Sequence, residues 1–306
     1  MIICGYFFLP RIMVGMITDY DPYTFEVVFS DKLLMEEYGI NENRRPEDYG
    51  FSSRELGFES IDGTKLNGWY IPAQKPSGTC LMFIHGRTSN RLKPLKYLAL
   101  ADSLDLDSTY NIFIPDLRNS GKSQEATTYM GYKFAEDVVA SMLLMHDEYH
   151  QDQFLLYGFS MGAMAILNVI ARDDLKSIYQ NRIAIEKIIF DSPLVHVKKT
   201  LKDQTGNIFM ANYFFDEVFD LYSNRINGFG EKMTLSHLLD PEIPTLILQS
   251  KNDSTTKADI LESELGNLKN CEHLHVHYFD GPGHVKIFQD ESTKMEYVHR
   301  VSTFVR

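Results

Sequence analysis

Ser160 stands at the centre of Gly158-Phe159-Ser160-Met161-Gly162, and its flanks set what it can do. Phe154 to Tyr157 is an apolar, strand-like run, and Ala163 to Leu167 is helix-like. A serine between strand and helix, with a glycine two residues away on each side, occupies a sharp turn that lifts its hydroxyl clear of the sheet edge. The glycines stand where a Cβ would clash in so crowded a turn. The helix that follows aims its first N–H groups, and their partial positive charge, at the same point. The chemistry this suits is nucleophilic attack on a carbonyl. An ordinary tight turn with a solvated serine has the same local pattern, so the reading depends on partners elsewhere in the chain.

A nucleophilic serine needs a base to take its proton and a third group to orient that base. Leu246 to Gln249 reads as a strand and leads into Lys251-Asn252-Asp253, which places Asp253 in a polar loop just past a strand end. Val276 to Phe279 reads as the last strand and leads into Gly281-Pro282-Gly283-His284. Asp253 and His284 are therefore the candidate acid and base, both beyond C-terminal strand ends, where open parallel sheets bind ligands. Asp191, directly after Ile188 to Phe190, competes for the role of acid. His273, His275 and His277 follow Cys271 but alternate along a strand, and are read as one strand face, not as metal ligands.

The oxyanion formed by such an attack needs two preorganised donors. One is the N–H of Met161, directly after the nucleophile. The other is assigned to the N–H of Arg87, because the strand-like Leu81 to Ile84 ends in His85-Gly86-Arg87. Gly86 serves close backbone approach, and His85 is read as structural, beneath the loop. Asp116 to Ser123 is read as scaffold behind that strand, with Asn119 at a position that calls for left-handed backbone. Gly121-Lys122-Ser123 has the look of a phosphate-loop ending but lacks the upstream glycine at the required spacing.

These parts need a frame. Leu56–Ile61, Gly68–Pro72, Thr79–His85, Tyr110–Pro115, Phe154–Tyr157, Ile185–Phe190, Thr245–Gln249 and His275–Phe279 read as strands. Helical patterns fall at Leu92–Leu104, Phe134–Tyr149, Gly162–Arg172 and Thr293–Phe304. Alternation of strand and helix predicts an α/β fold with a mostly parallel sheet covered on both faces. The alternation lapses over about 195–233, a stretch rich in aromatics. It reads as a helical insertion, either ordinary packing or a small lid shaping an apolar pocket.

Residues 1–50 read as an N-terminal arm ahead of a domain at 51–306. Met1 to Leu9 is almost wholly apolar, then Pro10-Arg11 interrupts, which is too short and broken for a membrane span. A packed arm is the expectation, and a membrane anchor the alternative. A 44% hydrophobic fraction over 306 residues supplies an ample core. A net charge of −12 disfavours nucleic acid and anionic membranes as partners. Three scattered cysteines form no framework and fit a reducing, cytoplasmic setting.

Taken together, His85-Gly86-Arg87, Asp116-x-Arg118-x-x-Gly121-x-Ser123, the Ser160 turn, Lys251-Asn252-Asp253 and Gly281-Pro282-Gly283-His284 resemble the α/β-hydrolase superfamily. The resemblance runs from about Leu56 to the C-terminus. Within that superfamily it is similar to bacterial acyl hydrolases related to the prolyl-oligopeptidase and esterase group. It implies an eight-stranded sheet with one antiparallel early strand, Ser160 as nucleophile, Asp253 as acid and His284 as base. The acid loop departs from the pattern in lacking a glycine ahead of its aspartate. The implied activity is acyl transfer to water with no metal or organic cofactor. The expected substrate is a small-molecule carboxylic ester of small to medium acyl chain. Arg87 and Arg118 near the mouth would favour an anionic end. A serine peptidase or acyl-amino-acid hydrolase is the second reading, and an inactive binding protein on the same fold is the third.

Overall fold

The computed structural model describes residues 10, 12–15, 17–18, 20–40, 44–205, 211–269 and 271–306, so the apolar run Met1 to Leu9 lies outside it. The described strands are β1 (Arg54–Glu59), β2 (Lys65–Ile71), β3 (Thr79–Ile84), β4 (Asn111–Asp116), β5 (Gln153–Phe159), β6 (Ala184–Asp191), β7 (Thr245–Ser250) and β8 (Leu274–Phe279). They form one sheet in the order β1-β2-β4-β3-β5-β6-β7-β8. β2 runs antiparallel to both its neighbours, and from β4 to β8 every pairing is parallel.

β3 and β5 are apolar after their first residue because both faces are covered. Successive side chains point to opposite faces. Cys80, Met82 and Ile84 of β3 therefore join one core with the helices Phe134–Tyr149 and Met161–Ala171. Leu81 and Phe83 join the other, with Leu98, Tyr297 and Val301. The predicted helix Leu92–Leu104 is shorter: a 3-10 turn at Pro94–Tyr97 leads into Leu98–Ser103. Its prolyl nitrogen has no N–H to give, which suits a first turn and not a helix interior.

The described part of the N-terminal arm is stitched to the loop after β4. The Tyr23 N–H donates to the Asn119 carbonyl (3.2 Å), and the Tyr23 carbonyl accepts from the Gly121 N–H (2.9 Å) and the Asn90 side chain (2.9 Å). Asn119 has φ 62°, the left-handed backbone expected there. Arg91, fully buried, pairs with Glu55 at 2.6 Å and Asp116 at 3.2 Å, between the rings of Phe25 and Trp69. No helix among the described residues is long and apolar enough to cross a membrane.

The stretch after β6 folds as helices Val197–Thr205 and Ala211–Arg225 and a 3-10 turn Phe229–Lys232. Its described aromatics do not line the cavity over Ser160 as the lid reading expects. Phe214, Phe215, Phe219 and Tyr222 are buried in the core beside the helix face of the sheet, and Tyr213 is exposed.

Candidate active site

The six parallel strands β3 to β8 end on the same edge, and the loops beyond β3, β5, β7 and β8 carry the candidate groups. β5 hands over to the helix Met161–Ala171 with Ser160 at the turn. Ser160 has φ 52° and ψ −118°, a strained conformation for a residue with a side chain. The neighbouring glycine makes the turn possible: a Cβ on Gly158 would stand 2.7 Å from the Ile166 side chain and 2.9 Å from the Ala163 backbone. The Ser160 N–H donates to the Asp191 carbonyl (3.1 Å), and its carbonyl accepts from Leu194 (3.0 Å), so the turn is held from both sides.

Across this edge, Ser160 Oγ lies 2.9 Å from His284 Nε2, and His284 Nδ1 lies 2.7 Å from Asp253 Oδ2. The imidazole that fits both contacts carries its proton on Nδ1, donated to Asp253, and accepts the seryl proton at Nε2. Asp253 is buried, which opposes its charge. The bond and charge of His284 and the N–H groups of Thr256 and Thr255 outweigh that burial and hold the carboxyl below its ordinary value. Those two N–H groups reach Oδ1 at 2.9 and 2.8 Å. Thr256 Oγ1 also donates to Oδ2 at 2.9 Å.

Sequence reading missed Thr256. Its signal is a short acceptor followed by a hydroxyl residue at i+3, the spacing by which Asp and Asn side chains fold back on their own loop.

Asp191, the competing acid, does not meet His284. Its carboxylate accepts from Tyr97 and Tyr297 (2.7 Å each) and from Ser192 (2.9 Å). His277 pairs instead with Glu296 at 2.9 Å, and no group of three or more His, Cys, Asp or Glu stands ready for a metal among the described residues.

The His-Gly-Arg loop lies against Ser160: a Cβ on Gly86 would come within 2.9 Å of Ser160 Cβ. His85 is buried beneath it. Its Nε2 accepts from the Leu117 N–H (3.0 Å), which leaves the proton on Nδ1 to donate to the Gly86 carbonyl (2.8 Å). In a trans peptide the C=O and the next N–H point in opposite senses. Pulling the Gly86 carbonyl down onto His85 therefore turns the Arg87 N–H the other way, up from the sheet. Met161 is the first residue of its helix, so its N–H has no intrahelical acceptor.

Burial pushes the His85 imidazole down to about 4, against the opposing bond to Gly86. Below its ordinary value of 6.5 the unfolded chain takes up a proton that the folded one refuses. Stability is therefore expected to fall as pH drops from 6.5 towards 4, by about 3 kcal/mol from this group alone. Urea unfolding of wild type and His85→Gln across that range checks it: the difference between the two curves should close on acidification.

A cavity of about 390 Å³ opens over Ser160 and His284. Met130, Phe159, Leu194 and Val285 supply apolar wall. The insertion contributes Thr200 and Gln204, both polar. The N-terminal arm contributes Tyr23, Tyr38 and Glu37, the last paired with Lys93 at 2.7 Å. Arg87 lines this cavity, its guanidinium 4.7 Å from the Tyr20 ring centre. Arg118 does not. It is 2% exposed and clamped by Asp137 (2.7 Å) and Asp62 (2.8 Å), so it braces the scaffold and offers no charge at the mouth.

The family model described as alpha/beta hydrolase fold matches residues 79–219, the stretch from β3 through the nucleophile turn into the insertion. The chain has the α/β-hydrolase fold. It is 27% identical over 229 residues to the uncharacterised protein YfhR of Escherichia coli, a match spanning 72% of each chain. An esterase of Pyrococcus furiosus superposes with a TM-score of 0.64 at 22% identity, covering 86% of this chain and 94% of that one. An esterase of Exiguobacterium antarcticum gives a TM-score of 0.51 at 19% identity, covering 82% and 98%. The α/β-hydrolase sheet with one antiparallel early strand is the architecture the motifs imply, and here that strand is β2.

Proposed function

We propose that this α/β-hydrolase protein is a serine hydrolase that cleaves carboxylic esters of small to medium acyl chain through an acyl-enzyme on Ser160. The observation that carries the reading is the continuous line Ser160–His284–Asp253, at 2.9 and 2.7 Å, whose first two members line the cavity. Ser160 Oγ attacks the ester carbonyl while His284 Nε2 takes its proton. Asp253 holds the imidazole tautomer and stabilises the imidazolium. The N–H groups of Met161 and Arg87 receive the oxyanion. Collapse releases the alcohol, which takes the proton back from His284. Water, deprotonated by the same imidazole, then frees the acid and regenerates the serine.

The apolar wall formed by Met130, Leu194 and Val285 suits the acyl group, and the polar side of Tyr23, Glu37 and Lys93 suits the alcohol. A cavity of about 390 Å³ favours a small ester over an extended peptide. The esterase names of the two structural relatives agree with the ester reading. The free thiols of Cys80 and Cys271 support a reducing compartment.

Intact mass after incubation with a fluorophosphonate tests the proposal. Wild type should gain one adduct, and Ser160→Ala none. An unlabelled wild type would sink the enzyme reading and favour a binding protein on this fold.

A further inference from the structure

Behind the three proposed catalytic groups lies a dipeptide that touches all of them. Asp191 is the last residue of β6 and fully buried; Ser192 follows it, also fully buried, with φ 50°. The Asp191 carbonyl accepts the Ser160 N–H. The Ser192 carbonyl lies 3.0 Å from the Thr256 hydroxyl oxygen, and Thr256 holds Asp253 through its own N–H. The Ser192 hydroxyl accepts the Val285 N–H at 3.1 Å, next to His284.

Val285 is the telling residue. It is β-branched, yet it has φ 53°, in the left-handed region that such side chains avoid. A conformation of that kind persists only where neighbours over-determine it. Here the restraint is the Ser192 hydroxyl. The Ser192 hydroxyl donates to Asp191 Oδ1 (2.9 Å), which leaves a lone pair facing the Val285 N–H. Tyr97 and Tyr297 anchor the other oxygen, Oδ2. The Asp191 side chain thus fixes the rotor of Ser192, and Ser192 fixes the backbone turn that carries the imidazole.

We infer that Asp191 and Ser192 form a positioning pair that sets the His284 imidazole against Ser160 through the Val285 N–H. The inference rests on the reading of Ser160, His284 and Asp253 as the catalytic set. It gives Asp191 a role distinct from the acid that its place in the sequence suggests.

The test uses the full chain with p-nitrophenyl acetate and a fluorophosphonate. Ser192→Ala should lower kcat and the labelling rate together by about 10- to 100-fold, the size of loss expected when a reacting group is misplaced by an ångström. KM should stay within about twofold, because no cavity residue is removed. Asp191→Asn should do the same: its amide NH₂ would donate to the Ser192 oxygen and reverse that bond. If Ser192→Ala does not fold, Ser192→Cys keeps the side-chain volume with a weak hydrogen-bonding group and should show the same kcat loss. Tyr179→Phe removes a buried hydroxyl bonded to the Val169 carbonyl, far from the site, and is the control for general loosening.

Wild-type rates in Ser192→Ala and Asp191→Asn would overturn the inference. So would a loss that Tyr179→Phe reproduces, or one confined to KM. A wild type that fails to label would overturn the functional reading instead, so the two failures are distinguishable.

Discussion

Ser160→Ala is expected to lower kcat for an activated ester by a factor on the order of 10⁶, and His284→Ala by about as much. The double variant should fall no further. The reason is the 2.9 Å contact: in the proposed mechanism the hydroxyl is a nucleophile only while Nε2 takes its proton. Two groups that act as one unit give non-additive losses. Residual turnover above the uncatalysed rate should persist in all three variants, because the Met161 and Arg87 N–H groups are untouched. Steady-state kinetics on the three proteins checks this. Additive losses would show that serine and histidine work independently.

The second large effect comes from a single atom. Asp253→Asn is expected to lower kcat by about 10⁴, roughly 5.5 kcal/mol of transition-state stabilisation, with KM little changed. Oδ1 of Asp253 accepts two backbone N–H groups, from Thr255 and Thr256. An asparagine must put its carbonyl there, which leaves its NH₂ facing His284 Nδ1. That nitrogen then has to accept, the imidazole proton moves to Nε2, and the base is lost while the geometry survives. Nitrogen chemical shifts of His284 in wild type and variant read the tautomer directly. An unchanged tautomer with unchanged kcat would contradict the assignment of Asp253.

The elements were legible where burial is two-sided. β3, β5 and β7 have apolar centres, and Gly78, Gly86 and Pro244 mark boundaries of β3 and β7. β2 was harder: Lys65 and Asn67 at its start are more exposed, so the run reads as beginning only at Gly68. Ser160, Asp253 and His284 stood out because each follows a strand end in a short polar or glycine-bearing loop, and the fold brings these three within hydrogen-bond reach.

Arg118 was misread because its partners are remote in the chain. Asp62 and Asp137 lie 56 and 19 residues away, and no local pattern announces that they converge on it. The role of the insertion's aromatics stayed open in the sequence for the opposite reason. Their helical spacing serves a core face and a cavity wall equally well, and only the packed structure separates the two. The contribution of Tyr23 and Glu37 to the cavity left no trace at all, since it arises from one arm lying across the end of another loop.

The order in which these groups occur along the chain has a consequence for synthesis. His284 follows Ser160 by 124 residues and Asp253 by 31. On the ribosome the Ser160 turn therefore emerges long before its proposed base. Under the proposed mechanism, Ser160 is an alcohol like any other until β8 joins β7. A growing or truncated chain that ends before His284 would then carry the turn but not the reactivity, and acylation would be a signature of the finished sheet.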